Sequence, residues 1–316
     1  MLDYHLHLWP HTEEVTPLRL EQVAAYCERA GEAGVTELAL TEHLFRFRQA
    51  DALLRGWWDD ERVPTALAES MAQYWKFHAT ADLDDYVRCA QEAQAAGLPV
   101  VIGLEVDYYE GRMDAVAGLL SGYPFDVLLG SVHWIGGWRF DDLADPVSVA
   151  EWPTRAVDDA WEDYTRAMEE LAASRTCDVL AHPDLIKVAG HVPDAPAEWW
   201  DRLAEAAAAS RMAAEVSSAG WRKPVGEQYP AAGLLERFVA RGVPLTTASD
   251  AHQLKHVADR ADDLRAVLAG VGAVELAAYR GRVRHAVALS GPGPSRSAPR
   301  AGRKDDLRNG TEGTES

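Results

Sequence analysis

Apolar and polar positions along the chain follow two alternating periods, one typical of amphipathic helices and one typical of buried strands. Leu20, Val23 and Cys27 fall on one side of a predicted helix over about 18–33, which Gly34 ends. A short apolar run at 35–40 then predicts a buried strand. The same order recurs, with strands predicted over 2–8, 35–40, 98–106, 125–133, 177–182, 212–217 and 243–249, and helices over 18–33, 82–96, 113–121, 157–173, 195–209, 231–241, 257–269 and 274–289.

This order predicts an α/β fold, a distorted (β/α)7 barrel of parallel strands. Short apolar strands separated by helices indicate a parallel sheet buried on both faces, and seven units in a row favour a closed barrel. We expect one domain over 1–290. Two segments break the pattern: 45–80 is predicted to be an insertion or flap, and 139–156 a loop. Residues 291–316 are rich in Gly, Pro, Ser and charge, which predicts a disordered tail.

Composition narrows the classes of partner. The chain has 316 residues with 31 basic and 50 acidic side chains, a net charge of −19 that disfavours nucleic acid as a partner. Cys27, Cys89 and Cys177 are widely spaced and form no C-x-x-C unit, which fits a reducing cytosol. We find no export signal and no apolar run of about 18 residues, so we expect a cytoplasmic protein without a membrane partner. The sequence gives no signal for an oligomeric state.

Six of the seven predicted strands end in residues that can bind metal ions. His5 and His7 project from one face of the first strand, two residues apart. The carboxyl ends of parallel strands meet at one end of a barrel, so these residues are predicted to meet there. Neutral imidazole and carboxylate suit Zn, Mn and Fe alike. The candidates are His5, His7, His11, His43, Glu105, His133, His182, Asp250 and His252.

Each candidate alone has an ordinary structural explanation. An isolated His-x-His pair is more often a pair of polar residues on an edge strand, and His133 alone could be a core histidine with satisfied hydrogen bonds. The set is harder to explain in this way, because seven of the eleven histidines fall at or just beyond strand ends. The pattern therefore favours a metal centre at the carboxyl ends of the strands.

The motifs at these strand ends resemble those of the PHP superfamily, and most of all its histidinol-phosphatase branch. The matching stretches are His5-x-His7, 41–43, 103–105, 123–133, 181–184, 218–230 and 249–252. The resemblance runs from residue 3 to about 270 and implies a (β/α)7 barrel with three divalent metal ions, Mn, Fe or Zn. It implies that His5, His7, Glu105 and Asp250 hold the first ion. Glu105 would bridge to a second ion, also held by His133 and His182, and His11, His43 and His252 would hold the third.

Two departures from the family bear on these expectations. His11 follows His7 by four residues, a shorter spacing than is usual in relatives, which makes the third metal site the least secure. The 45–80 segment is longer than expected, and a changed flap could mean a changed substrate.

The resemblance implies hydrolysis of L-histidinol phosphate in histidine synthesis, with a metal-bridging hydroxide as nucleophile. Glu105, Asp250 and His252 are the predicted catalytic residues. Arg222, Lys223 and Lys187 are candidate phosphate contacts, although solvated surface charge would explain them as well. Trp134, Trp138 and Trp221 could wall the pocket or simply pack, and Asp141 or Asp142 could receive the substrate amine. Alternatives are another small phosphomonoester, a nucleotide or phosphotyrosine as substrate, or a metal-binding protein without catalysis.

Overall fold

Seven parallel strands, paired in sequence order, organise the computed structural model, which describes residues 1–12 and 16–289. The predicted tail, 291–316, lies outside the described residues. The strands of the main sheet are β1 Leu2–Leu6, β2 Glu37–Leu40, β3 Val100–Asp107, β4 Val127–Ser131, β5 Val179–Leu180, β6 Ala213–Ser217 and β7 Leu245–Ala248. The helices are α1 Leu20–Glu32, α2 Arg48–Leu54, α3 Thr65–His78, α4 Leu83–Ala95, α5 Met113–Leu120, α6 Pro146–Glu151, α7 Val157–Ser174, α8 Ala197–Ser210, α9 Ala232–Ala240 and α10 Ala261–Gly270.

The sheet curves into a nearly closed barrel, because β1 meets the segment that follows β7. The backbone N–H of Asp250 donates to the carbonyl of His5 at 2.8 Å, and that of His7 donates to the carbonyl of Ala251 at 2.7 Å. Every residue of β3 and β4 is buried, as expected for strands covered on both faces. The predicted (β/α)7 barrel is thus confirmed.

The outer helices follow the predicted pattern, each with one apolar face against the barrel. In α4, the buried residues Leu83, Tyr86 and Ala90 recur at helical spacing. The Asp82 side chain caps this helix by accepting from the Asp84 N–H at 2.9 Å. The apolar spacing and the capping Asp82 are both recognisable in the sequence, so the helix begins and ends close to the predicted positions.

The prediction of a helix over 274–289 is wrong. The segment forms a β-hairpin of β8 Glu275–Arg280 and β9 Val283–Ala288. Gly281 and Arg282 have φ of 53° and 65°, the left-handed conformations required at both central positions of a tight hairpin turn. The order of apolar and polar residues in this segment is compatible with both a helix and a strand, so it does not predict the hairpin.

The two segments that break the sequence pattern contain more regular structure than predicted. The 45–80 segment carries α2 and α3, and its first residues, Phe45, Arg46 and Phe47, are fully buried. The predicted loop 139–156 contains α6, capped by Asp145, whose side chain accepts from Val147 and Ser148. Among the helices of the described ranges, none combines the length and apolar character needed to cross a membrane.

Candidate metal centre

The carboxyl ends of the strands bring the predicted ligands together in one cluster. His5 lies within β1 and Glu105 within β3, and the other members lie on the short segments that leave the strands. His5, His7, His43, Glu105 and His182 are buried, whereas 16% of the side-chain area of Asp250 and of His252 is exposed, as is 12% of that of His133. The cluster is therefore closed on the barrel side and open at its mouth.

Glu105 is the hub of this cluster, with three histidine nitrogens around one carboxylate oxygen and two around the other. Its Oε2 lies 2.6 Å from His43 Nδ1 and 3.3 Å from His5 Nε2. His7 Nε2 is 3.6 Å from the same oxygen. Oε1 lies 3.0 Å from His182 Nε2 and 3.4 Å from His133 Nε2. One carboxylate thus faces five imidazoles, an arrangement suited to bridging two cations.

The electrostatics of the cluster favour an ionised carboxylate. Burial would raise the pKa of Glu105, but the charges of His5, His43 and His133 outweigh burial and hold that pKa well below its ordinary value. The pKa of Asp250 is likewise lowered, mainly by His5 and His7 acting against burial. Both carboxylates are therefore anionic at neutral pH, as metal binding requires.

The donor set fits divalent metal ions. His5 Nε2, His7 Nε2, His43 Nδ1 and Glu105 Oε2 are buried and have no hydrogen-bond partner among the described residues. Orphaned buried polar atoms are costly, and a cation placed among them would satisfy all four. Four groups have ligand atoms that all lie within 4.8 Å of one another: His5, His7 and Asp250; His5, Glu105 and His182; His7, His43 and His252; and His43, Asp107 and His133. The first group falls within the ligand set implied for the first ion, whereas the second joins Glu105 and His182 of the second set to His5 of the first.

His11 is placed beside the cluster instead of within one of these groups. Its ring stacks on that of His252 at 4.0 Å between centroids and lies 5.2 Å from that of His43. His7 occupies the place beside His43 and His252 that the resemblance gave to His11. The structure therefore brings His43 and His252 together with His7 and leaves His11 beside them.

Two buried carboxylates that sequence reasoning missed orient the histidines. Glu215, in β6, contacts His5 Nδ1 at 2.8 Å, and Asp107, at the end of β3, contacts His133 Nδ1 at 2.6 Å. A carboxylate on one ring nitrogen fixes the tautomer and turns the other nitrogen toward a metal. Asp107 and Glu105 share a face of β3, and Glu215 interrupts an apolar strand, so both could have been identified from the alternation.

These contacts also shift the pKa of the histidines. Burial would lower the pKa of His133, but the nearby carboxylates of Asp107 and Glu105 raise it to about 10. The pKa of His5 is raised well above its usual value by Glu105 and Glu215 in the same way, against the effect of burial. The cluster thus concentrates negative charge, which attracts cations, whether protons or metal ions.

Two of the candidate ligands sit on strained backbone. His182 has a φ of 26° and Asp250 a φ of 50°, left-handed values that non-glycine residues rarely adopt. Arg222 supports the second of these turns, donating to the carbonyls of Ser249 at 2.6 Å and Asp250 at 3.2 Å, and it also pairs with Asp259 at 3.1 Å. Strain of this kind persists only where surrounding structure holds it, and it concentrates at functional sites.

A cavity of about 540 Å³ opens directly onto the cluster. Its walls include His11, His43 and His133 from the cluster itself. The rest of the wall includes both aromatic and charged residues, namely Phe45, Tyr74, His78, Trp134, Arg139, Asp141, Asp142 and Lys223. A ligand placed here would contact the cluster with one end and the protein wall with the other.

The predicted substrate contacts are distributed unevenly around this cavity. Lys223 lines it and forms no ion pair with any described residue. Lys187 is buried, and its ammonium group is used by Asp184 at 2.9 Å, Glu227 at 2.7 Å and the carbonyl of Gln228 at 3.0 Å. These contacts give Lys187 a structural role, and they do not support the predicted contact with phosphate. Arg222 has the turn contacts described above, so its contact with phosphate stays a prediction.

The two neighbouring carboxylates, Asp141 and Asp142, differ in whether they are already paired. Asp142 is paired with Arg139 in the cavity wall. The side chain of Asp141 has no ion pair or hydrogen bond among the described residues, and burial raises the pKa of this carboxyl against the effect of His133 and Lys223. Of the two carboxylates predicted to receive an amine, Asp141 is the one whose oxygens are unengaged.

Of the three tryptophans considered for the wall, Trp134 alone lines the cavity in the described part of the chain. Trp138 is fully buried and donates to the Ser148 carbonyl at 3.0 Å, whereas Trp221 packs under the Arg260 guanidinium at 3.9 Å. His78, the last residue of α3, is also part of the cavity wall.

Both the sequence and the fold are similar to those of known proteins. The sequence profile of the PHP domain family matches residues 5–219. A Deinococcus radiodurans protein named probable histidinol-phosphatase is 32% identical over 272 residues, covering 86% of this chain and 94% of that protein.

Two solved structures share the fold. One is the histidinol phosphate phosphatase of Lactococcus lactis, solved with Zn, L-histidinol and phosphate, with a TM-score of 0.63, 20% identity and coverage of 90% of this chain and 98% of that one. The other, from Listeria monocytogenes, is described by its solvers as a candidate histidinol phosphatase; its TM-score is 0.64, with 18% identity and coverage of 83% and 99%. At 18–20% identity, the two structures show only that the fold is shared.

Proposed function

This chain belongs to the PHP domain family and to its histidinol-phosphatase branch, and on that premise we propose that it hydrolyses L-histidinol phosphate to L-histidinol and phosphate. The observation that carries the proposal is the convergence of five imidazoles on the two oxygens of Glu105. The donor set suits Mn, Fe or Zn. Such a step in histidine biosynthesis is consistent with the expected cytoplasmic location.

The chemistry requires a centre of this kind. A phosphate monoester dianion repels anionic nucleophiles and hydrolyses extremely slowly without a catalyst. Divalent ions, when bound, neutralise phosphoryl oxygens and make a hydroxide nucleophile available near pH 7. We propose that three ions bind here, held by His5, His7, Glu105 and Asp250, by Glu105, His133 and His182, and by His43 and His252 with His11 at the rim.

Residues around the centre would orient the metal ligands and bind the phosphate group of the substrate. Glu215 and Asp107 hold the His5 and His133 rings in the tautomer that presents Nε2 to the cluster. Lys223 supplies positive charge in the cavity wall for the phosphate group. An anionic substrate can thus approach a protein whose net charge is −19.

The far side of the cavity suits the rest of L-histidinol phosphate. The unengaged carboxylate of Asp141 can accept hydrogen bonds from the substrate ammonium group. Phe45, Tyr74 and Trp134 offer flat apolar surface to an imidazole ring. We propose that this wall distinguishes L-histidinol phosphate from a phosphomonoester without an amine or imidazole.

The test is phosphate release by protein stripped with chelator and reloaded with Mn, Fe or Zn. The substrates are L-histidinol phosphate, p-nitrophenyl phosphate, a nucleotide panel and a phosphotyrosine peptide. Metal-restored turnover with the highest kcat/KM on L-histidinol phosphate is the expected result. Preference for another phosphoester would keep the metal chemistry and reassign the cavity, and metal binding without turnover on any phosphoester would indicate a non-catalytic protein.

A further inference from the structure

The turn between His7 and His11 is held by side chains from outside it. Only three residues separate the two histidines, and one of them is Pro10, which has no backbone N–H to donate. Glu42 Oε1 accepts from the backbone N–H of Leu8 at 2.5 Å and of Trp9 at 2.8 Å. Two backbone N–H groups of this short connection thus donate to one carboxylate, which lies on the segment that follows β2.

Arg46, which lies beside Glu42, also supports this turn. Its Nη2 donates to the Pro10 carbonyl at 2.8 Å, and its Nε lies 3.8 Å from Glu42 Oε2. Neither Nε nor Nη1 has a hydrogen-bond partner among the described residues, although the guanidinium is fully buried. A buried ion pair with unsatisfied donors is a weak source of stability. We therefore infer that the Arg46–Glu42 pair serves mainly to hold the turn in place.

The conformation of this turn determines where His11 lies. The His11 side chain is exposed and makes no hydrogen bond or ion pair with any described residue. Its contacts with the cluster are ring contacts, at 4.0 Å to His252 and 5.2 Å to His43. Because nothing in these contacts fixes the ring directionally, its position depends on the backbone that Glu42 and Arg46 hold.

We propose that Arg46 is a positioning residue that, paired with Glu42, fixes the Leu8–His11 turn so that His11 reaches the rim of the metal centre. The inference rests on the proposed function for the presence of metal ions. It also gives the start of the 45–80 segment a role in building the centre, because Arg46 and its neighbours are anchored. The Ala81 N–H donates to the Arg46 carbonyl and the Arg48 N–H to the Ala81 carbonyl, both at 2.9 Å.

The test compares Arg46→Met, Arg46→Lys and the wild type. Arg265→Met is the matched control, since Arg265 is also a buried arginine, paired with Asp262 on α10. Hydrogen exchange of the 7–12 peptide is measured on metal-free protein, and Zn affinity and stoichiometry by titration of chelator-stripped protein. His11→Ala is included to identify the ion that His11 serves.

In Arg46→Met we expect exchange of the 7–12 peptide to rise, and affinity for one ion to fall about ten-fold or more, the range typical of groups that orient a metal ligand. The affected ion should be the one weakened in His11→Ala, and the others should bind as in the wild type. Arg46→Lys should restore part of both properties, and Arg265→Met should change neither. If Arg46→Met fails to fold, Arg46→Lys and Glu42→Gln are read out in the same two ways.

Wild-type exchange together with wild-type Zn affinity in Arg46→Met would overturn the proposal. A loss spread equally over all ions would also overturn it, because that would indicate general damage to the barrel. A wild-type protein that binds none of Zn, Mn and Fe would refute the proposed function instead, and the exchange of the 7–12 peptide would still decide whether Arg46 holds the turn.

Discussion

Glu105 is the residue on which the centre depends most, because both of its oxygens are shared among histidines. We expect Glu105→Gln to fold and to lower kcat on L-histidinol phosphate by about 10³-fold or more, or about 4 kcal/mol in activation free energy. An amide keeps the shape of the side chain but cannot bridge two cations as an anion. The control is Glu110→Gln, an exposed glutamate beyond the end of β3. Near-normal turnover in a folded Glu105→Gln would exclude the bridging role.

Asp141 is predicted to recognise the substrate amine. Losing a hydrogen bond to a charged group costs about 1.5–3 kcal/mol, so Asp141→Asn should raise KM for L-histidinol phosphate by about 10- to 100-fold. Turnover of p-nitrophenyl phosphate, which has no amine, should be unchanged. Asp142→Asn should alter KM much less, because Asp142 is already paired with Arg139. Equal effects of Asp141→Asn on both substrates would argue against amine recognition.

His78 should contribute to the pH dependence of stability. Burial, with help from the charges of Arg46 and Arg139, lowers the pKa of His78 from 6.5 to about 4. Between these values the unfolded chain binds the additional proton, so this contribution is present above pH 6.5 and is lost as pH falls toward 4. It should amount to about 2 kcal/mol of unfolding free energy between pH 7 and pH 5.

Urea unfolding of metal-free protein at the two pH values measures this contribution. His78→Gln should lose about 2 kcal/mol less than the wild type on acidification, whereas His285→Gln, a change on the exposed strand β9, should follow the wild type. The same pH dependence in His78→Gln and wild type would show that His78 is solvated in the cavity wall.

At this scale the sequence predicts which side chains the fold brings together at the strand ends, but it does not predict the partners of the charged residues on the loops. His5, His7, Glu105 and Asp250 are recognisable because each follows or ends an apolar run. The contacts of Lys187 and Arg222 are not, because a charged residue on a loop gives the same pattern whether it faces substrate or an internal carboxylate. Their partners, Glu227 and Asp259, are distant in sequence and are brought close only by the fold.

At the scale of elements, period and length decide what can be predicted. Buried parallel strands such as β3 and β4 are unbroken apolar runs, and amphipathic helices such as α4 repeat every three or four residues. The hairpin of β8 and β9 was missed because its sequence satisfies both periods. Its conformation is selected by contacts with the amino-terminal end of the barrel.

Those contacts make the hairpin a structural element remote from the chemistry. Gly281 N–H donates to Asp126 Oδ1 at 2.9 Å, and Arg282 makes two hydrogen bonds to Asp178, just before β4 and β5 begin. Tyr279 is 3% exposed and donates to the Asp178 carbonyl at 3.2 Å. The hairpin thus covers the end of the barrel opposite to the metal centre.

Truncating Tyr279 should therefore separate stability from metal binding. Tyr279→Ala is expected to lower the unfolding free energy by about 3–5 kcal/mol, as for other buried aromatic residues, and Tyr279→Phe by about 1 kcal/mol. Both variants should keep wild-type Zn affinity and kcat. Chemical denaturation and Zn titration check this, and a loss of Zn affinity in Tyr279→Ala would show that the hairpin is coupled to the centre across the barrel.

For the whole molecule, the sequence predicts the barrel because seven similar units leave little choice of topology, and a barrel brings strand ends together. It does not predict the cavity, because much of the wall comes from the 45–80 and 139–156 segments, which break the repeating pattern. The proposed recognition of substrate therefore depends most on the two segments that the pattern does not predict. The proposed metal centre depends on the strand ends, which the pattern does predict.

This division predicts how the molecule responds to metal removal. The barrel core consists of apolar side chains such as Leu104, Leu129 and Val216, all fully buried, so the chelated protein should keep its far-UV circular dichroism. Each independently bound ion should then add about 2.7 kcal/mol of unfolding free energy at 100 times its Kd, because binding to the native state alone shifts the equilibrium. Glu105→Gln should lose much of this increment, and Tyr279→Ala should keep it while unfolding more readily with and without metal. An unfolded chelated protein would mean that the ions hold the barrel together, and no stabilisation by Mn, Fe or Zn would rule out the metal centre.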